Sequence, residues 1–255
     1  YLRVPDECME LMKKKKRNFT FKFFRLIAGM FLPHIKFVTE CEKPESPCIF
    51  VSNHARIYGP ISWQLYSIEN IAIWTAYDVI FYPEAKEYMY SYIMHAENKK
   101  PRFFYRFVAT AGGKILTSLM SSVDTIPVYM GSRKIIETLN MSVQALENGV
   151  SIAIMPEKEN KRDNDYIFGF FDGFVYVAKK YYEKTGKKIA FYPSYLCVQH
   201  KTLTAGKPIY YDPALSNAET AEKIRAAIYD IAMRQPPHRP VPFSDAPSVS
   251  PEEKA

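Results

Sequence analysis

Between residues 47 and 211, short apolar runs rich in β-branched and aromatic residues alternate with longer stretches whose apolar positions recur every three or four residues. Residues 47–52 form the first run, bounded by prolines, which predicts a buried strand ending directly in Asn53 and His54. A second run, 123–130, leads into a helix whose start and stop are both written in the sequence. Ser132 is its candidate cap, Ile136, Leu139, Val143 and Leu146 fall on one face, and Gly149 supplies a left-handed stop. Strands are predicted at 151–155, 189–196 and 208–211, and helices at 172–184, stopped by Gly186, and after Ser216, which forms a capping box with Glu219. That last helix carries Ile224, Ile228 and Ile231 on one side.

Strands alternating with helices imply an α/β fold with a mostly parallel sheet flanked by helices. In such sheets active sites gather beyond the carboxyl ends of the strands. His54 follows one strand, and Glu157 follows another with only Pro156 between the strand and itself. If the two strands are neighbours, an imidazole and a carboxylate meet at one edge, as base-assisted transfer to a hydroxyl requires.

The chain ends differ from this middle. Residues 11–39 hold no acidic residue but Lys13, Lys14, Lys15, Lys16, Arg17, Lys22, Arg25 and Lys36, interleaved with phenylalanines. The uninterrupted apolar run 26–33 is far shorter than the ~20 residues of a spanning helix, so residues 1–40 read as a basic amphipathic helical segment lying on a membrane. The bland alternative is a surface helix with solvated lysines. Residues 41–234 form the folded domain, and the prolines of 235–255 predict a disordered tail.

Composition narrows the partners. A net charge of +7 and pI near 9.0 favour an anionic partner: nucleic acid, a phosphorylated substrate or an anionic membrane surface. The four cysteines form no CxxC pair, and Cys48 and Cys197 read as core thiols, although a disulfide stays open. The five histidines are scattered and no metal site is expected. The chain begins at Tyr1 rather than at a methionine, as a trimmed chain would.

Four blocks in order carry a resemblance. Ser52-Asn53-His54, then Ile126-Pro127-Val128 with Ser132-Arg133, then Ile154-Met155-Pro156-Glu157, then Tyr192-Pro193-Ser194-Tyr195 resemble the successive signature blocks of PlsC-type lysophospholipid acyltransferases, and Leu146-Glu147-Asn148-Gly149 matches in spacing. The resemblance covers roughly residues 47–213. It implies a glycerolipid-acyltransferase-like fold over 41–234 and transfer of a fatty acyl chain from acyl-CoA or acyl carrier protein to a lysophospholipid or related lipid acceptor. The thioester is a co-substrate and no cofactor is implied. His54 would be the general base, with Glu157 catalytic and Asn53, Arg133, Lys158, Lys161 and Arg162 binding substrate. The implied location is the cytoplasmic face of a membrane, peripheral or monotopic, with no nucleic-acid partner.

The sequence departs from the family at three places. Gly59 stands where the family has the aspartate that orients its histidine; Lys158, Glu159 and Asn160 replace Gly-Thr-Arg in the third block; and Met130 stands where many relatives carry arginine. Losing two anion-binding positions implies an acceptor other than plain lysophosphatidate, such as a glycolipid or amino-lipid headgroup. Candidates for a relocated partner to His54 are Glu157 and Glu159, with Asp124 and Tyr58 behind them. The aromatic stretch from Trp63 to Tyr92, followed by Lys99, Lys100, Arg102 and Arg106, reads by default as core and interface, and in an acyltransferase as a tunnel wall meeting the bilayer. Two other readings stay open: an acyltransferase-like protein that binds lipid or acyl chains without turnover, and a single-stranded nucleic-acid binder.

Overall fold

In the computed structural model the described residues are 22, 26 and 33–241, except 42, 57, 68–70, 97–101, 122 and 159–165. Residues 1–21, 23–25 and 27–32 of the basic segment, the candidate residues Glu159, Lys161 and Arg162, and the tail beyond 241 lie outside them, whereas residues 35–39, expected within the helical segment, give a buried Ile35 and an edge strand of the folded domain because their apolar side chains pack on the sheet. Strands β1 (Lys36–Thr39) and β2 (Ile49–Ser52) are followed by α1 (Tyr58–Tyr66), β3 (Ile71–Ala76), the single turn α2 (Tyr77–Ile80), α3 (Glu84–Ala96) and α4 (Arg102–Ser121). Then come β4 (Thr125–Val128), α5 (Ile135–Glu147), β5 (Ser151–Ile154) and a 3-10 turn (Asp172–Phe174). The described chain ends with α6 (Val175–Thr185), β6 (Ala190–Cys197), β7 (Thr202–Ala205), β8 (Ile209–Tyr210) and α7 (Asn217–Arg234).

One sheet runs in the order β1-β7-β6-β2-β5-β3-β4, with β8 also on β6. The five strands β6, β2, β5, β3 and β4 are mutually parallel, so their carboxyl ends share one edge. β7 and β8 run antiparallel to β6, and β1 is parallel to β7. This is a mixed α/β fold with a mostly parallel sheet flanked by helices.

The two-residue period of the strands feeds a core on each face. Ile49, Val51, Ile152 and Ile154 pack with Leu139, Val143 and Leu146 of α5, Val175 and Ala178 of α6, and Ile224, Ile228 and Ile231 of α7. Phe50, Ile73, Ala153 and Tyr192 point the other way, toward Trp63 of α1 and Ile35. With both faces covered, β2, β5 and β6 are buried at every residue, which is why they read as unbroken apolar runs.

Several local expectations shift. α5 starts at Ile135, and Ser132 instead accepts a hydrogen bond from Lys134 N at 3.2 Å in the turn before it. Ile136, expected on the buried face, is exposed. Gly149 and Gly186 do take left-handed backbone, at φ +74° and +71°. The capping box forms as written: Ser216 Oγ accepts from Glu219 N at 3.2 Å, and Glu219 Oε2 accepts from Ser216 N at 2.8 Å. The stretch read simply as aromatic core and interface contains β3 and α1–α3 and runs into α4. At the far end, residues 235–241, expected to be loose, fold back onto β6. Tyr195 Oη lies 2.9 Å from His238 Nε2, Tyr166 Oη donates to His238 O at 3.0 Å, and Arg239 N donates to Gln199 Oε1 at 3.2 Å.

Candidate active site

β2 pairs directly with β5, with Ile49 opposite Ile152 and Val51 opposite Ile154. The two strands carrying His54 and Glu157 are therefore neighbours, and both residues leave the sheet at the same edge. Two hydrogen bonds fix the exit of β2. Asn53, buried, donates from Nδ2 to Leu196 O at 3.1 Å and accepts from Leu196 N at Oδ1, 2.8 Å. Its amide thus continues the ladder to β6 one residue beyond the strand and is consumed by backbone. His54 N then donates to Glu157 Oε2 at 2.9 Å.

Glu157 is held from its own side as well. It forms an isolated antiparallel bridge with Phe170, flanked by Phe171 N to Pro156 O at 2.9 Å and Lys158 N to Gly169 O at 2.7 Å. Only 8% of the residue is exposed. Burial pushes its carboxyl up from 4.5 to about 7, and the His54 amide opposes that only in part. Near neutral pH both its protonated and its ionised forms are populated.

That burial has a stability signature. Below pH 4.5 the carboxyl is protonated whether the chain is folded or not; between 4.5 and about 7 the folded chain holds a proton the unfolded chain releases, so stability falls as pH rises through this window. Above it the penalty is complete, about 3 kcal/mol. Glu157→Gln cannot ionise yet still offers an oxygen to the His54 amide. In urea melts it is expected to match the wild type near pH 4.5 and to exceed it by up to about 3 kcal/mol at pH 8. An unchanged pH dependence in the variant would assign the effect to another group.

The other candidates are spread along the chain. Lys158 is exposed beside Glu157, its Nζ 5.4 Å from the centre of the Phe171 ring. Arg133, also exposed, follows β4, three strand positions from β2 and so roughly 14 Å along the same edge. Asp124 precedes β4, which puts it at the opposite edge, where its carbonyl accepts from Ile73 N at 3.0 Å and Gln64 Nε2 at 3.2 Å. It does not meet His54. Tyr58 opens α1, its amide donating to Ala55 O at 3.2 Å. A surface cavity of about 540 Å³ against α7, lined among others by Glu40, Lys207, Asp230 and Arg234, includes none of these residues.

The loop between His54 and Gly59 is tight. Ala55 and Arg56 take left-handed backbone at φ +46° and +55°, and Gly59 N donates to His54 O at 3.1 Å. A Cβ at position 59 would sit 2.1 Å from His54 O, 2.9 Å from His54 C and 3.1 Å from Met155 Sδ. Glycine is the residue this turn accepts, and the close approach that requires it is invisible in the sequence.

No protein-family model matches the chain, and no curated protein matches it. Among solved structures it is similar to the crystal structure of the 1-acyl-sn-glycerophosphate acyltransferase PlsC from Thermotoga maritima. Identity is 13% and the TM-score 0.43, over 93% of this chain and 86% of that one. An overlay that loose bears neither on the reaction nor on the substrate.

Proposed function

We propose that this protein is an acyltransferase that moves a fatty acyl chain from an acyl thioester, acyl-CoA or acyl carrier protein, to a hydroxyl or amine of a lysophospholipid or related lipid. The observation that carries the reading is the 2.9 Å bond from the His54 amide to the buried Glu157 carboxylate, at the carboxyl ends of two neighbouring parallel strands. The four-block resemblance to PlsC-type enzymes supports it independently of that bond. In this mechanism the His54 imidazole takes the acceptor's proton as its oxygen or nitrogen attacks the thioester carbonyl. The tetrahedral adduct then collapses, the thiolate leaves, and the proton passes to it, giving an ester or amide and a free thiol. Glu157 fixes the turn that carries the base and stabilises the charge that develops on it.

Asn53 serves the same turn through Leu196. Lys158, exposed beside Glu157, is a candidate cation for an anionic headgroup, with Arg133, Lys161 and Arg162 the other members of the proposed substrate-binding set. A membrane surface as the site of action is supported by α4. Phe103, Phe104, Phe107 and Ile115 are each more than half exposed there, beside exposed Arg106 and Lys114. Large apolar side chains exposed together on one helix are costly in water and suit an anionic interface. No helix among the described residues is long and apolar enough to cross a membrane. We place the protein, as part of this proposal, peripherally on the cytoplasmic face of a membrane, with the basic 1–40 segment contributing.

The test is thiol release from acyl-CoA and acyl carrier protein by the purified chain, with a panel of lysolipids and amino-lipids and mass spectrometry of the product. Acceptor-dependent release with a matching acylated lipid is the expected result. Gly59 favours a second reading, a lipid- or acyl-binding protein without turnover. Saturable thioester binding with no acceptor-dependent thiol release would establish that reading instead.

A further inference from the structure

Cys197 ends β6, and the turn that follows wraps around its sulfur. Sγ accepts hydrogen bonds from the backbone amides of His200 and Gln199, Lys201 N donates to Val198 O at 3.2 Å, and Lys201 closes the turn at φ +54°. Burial pushes the Cys197 thiol up, and the two amides oppose that only in part, so it is the geometry of the turn and not the thiol's acidity that marks the place.

Two imidazoles stand around it. His200 Nε2 lies 3.2 and 3.3 Å from the carbonyl oxygens of Pro236 and Pro237. A carbonyl only accepts, so Nε2 carries the proton and Nδ1 keeps its lone pair. His238 comes from the segment after α7; its Nδ1 donates to Pro236 O at 2.8 Å, leaving the Nε2 lone pair, which takes the Tyr195 hydroxyl at 2.9 Å. One ligand atom from each of Cys197, His200 and His238 lies within 4.8 Å of the other two. Core packing accounts for a buried thiol, but not for three electron-pair donors from two distant parts of the chain gathered in one place.

We propose that Cys197, His200 and His238 bind a divalent transition-metal ion of the zinc class, with the Tyr195 hydroxyl beside the fourth position. One thiolate and two imidazoles form a borderline-soft donor set that suits zinc and excludes calcium and magnesium. With His200 binding through Nδ1 and His238 through Nε2, each imidazole would keep its other N–H on a backbone carbonyl, which is how ligating histidines are oriented from behind. Tetrahedral ligands at metal–nitrogen distances of about 2.0 Å and a metal–sulfur distance of about 2.3 Å sit roughly 3.3–3.6 Å apart. From separations of at most 4.8 Å the cluster closes by no more than about 1.5 Å, and His238, on an irregular segment, would supply most of that movement while the Tyr195 hydroxyl yields its nitrogen to the ion. Binding replaces the thiol proton, which leaves to solvent. The ion would clasp the segment after α7 to the β6–β7 turn and so brace Tyr195 and Tyr166, whose ring centroids lie 6.5 Å apart.

The full chain, stripped with a chelator and titrated with Co²⁺ alone, tests this. Expected are about one Co²⁺ per chain, a thiolate-to-cobalt charge-transfer band, visible bands of tetrahedral strength, and loss of all of these on adding Zn²⁺. Cys197→Ser should abolish the charge-transfer band. His200→Gln and His238→Gln should each weaken Co²⁺ binding at least about tenfold, while His34→Gln leaves it unchanged. Absence of the band in the wild type, or its survival in Cys197→Ser, overturns the proposal. Should Cys197→Ser fail to fold, the histidine variants decide, and unchanged Co²⁺ affinity in both overturns it equally.

Discussion

An alanine at position 54 is expected to cut acyl transfer by about a thousandfold and to leave the fold standing. A positioned general base contributes about 10²–10⁴ in rate. The bonds from residue 54 to Glu157 and to Gly59 are made by its backbone N and O, which alanine retains, so the tether to Glu157 at 2.9 Å survives the substitution. The side chain is only half-buried, which keeps the cost of truncation low. Rates of thiol release and thermal melts measured side by side separate lost chemistry from lost structure. Glu157→Gln is expected to lose activity as well while melting higher at pH 8, which no simple folding defect produces. If the two residues act as a unit, His54→Ala with Glu157→Gln is no slower than His54→Ala alone. A His54→Ala enzyme within threefold of the wild-type rate would remove this imidazole from the mechanism.

What was legible in the sequence divides along a physical line. Local signals survived folding: the apolar runs of β2, β5 and β6, the Ser216–Glu219 capping box and the left-handed glycines at 149 and 186 depend on residues close together in the chain. β3 was missed because Ile71–Ala76 runs straight into α2, with no proline or glycine to mark the boundary between them. Sheet order is a tertiary property, so the pairing of β2 with β5 that makes His54 and Glu157 neighbours had to be assumed. Side-chain roles were less legible still. Asn53 reads as a substrate contact until its amide is found on Leu196, and Asp124 reads as a spare carboxylate until its strand direction puts it at the wrong edge. The Cys197-x-x-His200 spacing was there to be read. Its third partner, His238, arrives only because the chain beyond α7 turns back.

An aspartate introduced at position 59, Gly59→Asp, as PlsC-type enzymes carry it, is expected to break the turn after β2 rather than to bring a carboxylate to the imidazole. The obstruction is the Cβ itself, which would meet His54 O at 2.1 Å and His54 C at 2.9 Å, both backbone atoms that cannot swing aside. Opening the loop to admit it breaks Gly59 N to His54 O and Tyr58 N to Ala55 O. A loss of at least about 3 kcal/mol follows, or roughly 10 °C in melting temperature for a chain of this size. Gly59→Ala carries the Cβ without the charge and should fall nearly as far, which separates steric cause from electrostatic. If Gly59→Asp instead melts like the wild type and transfers acyl groups faster, the turn accepts the side chain and the steric argument fails. The close packing of residue 59 argues otherwise. A loop that folds backbone against backbone has no room for its own acid, and the carboxylate that reaches the His54 amide comes across the sheet from Glu157.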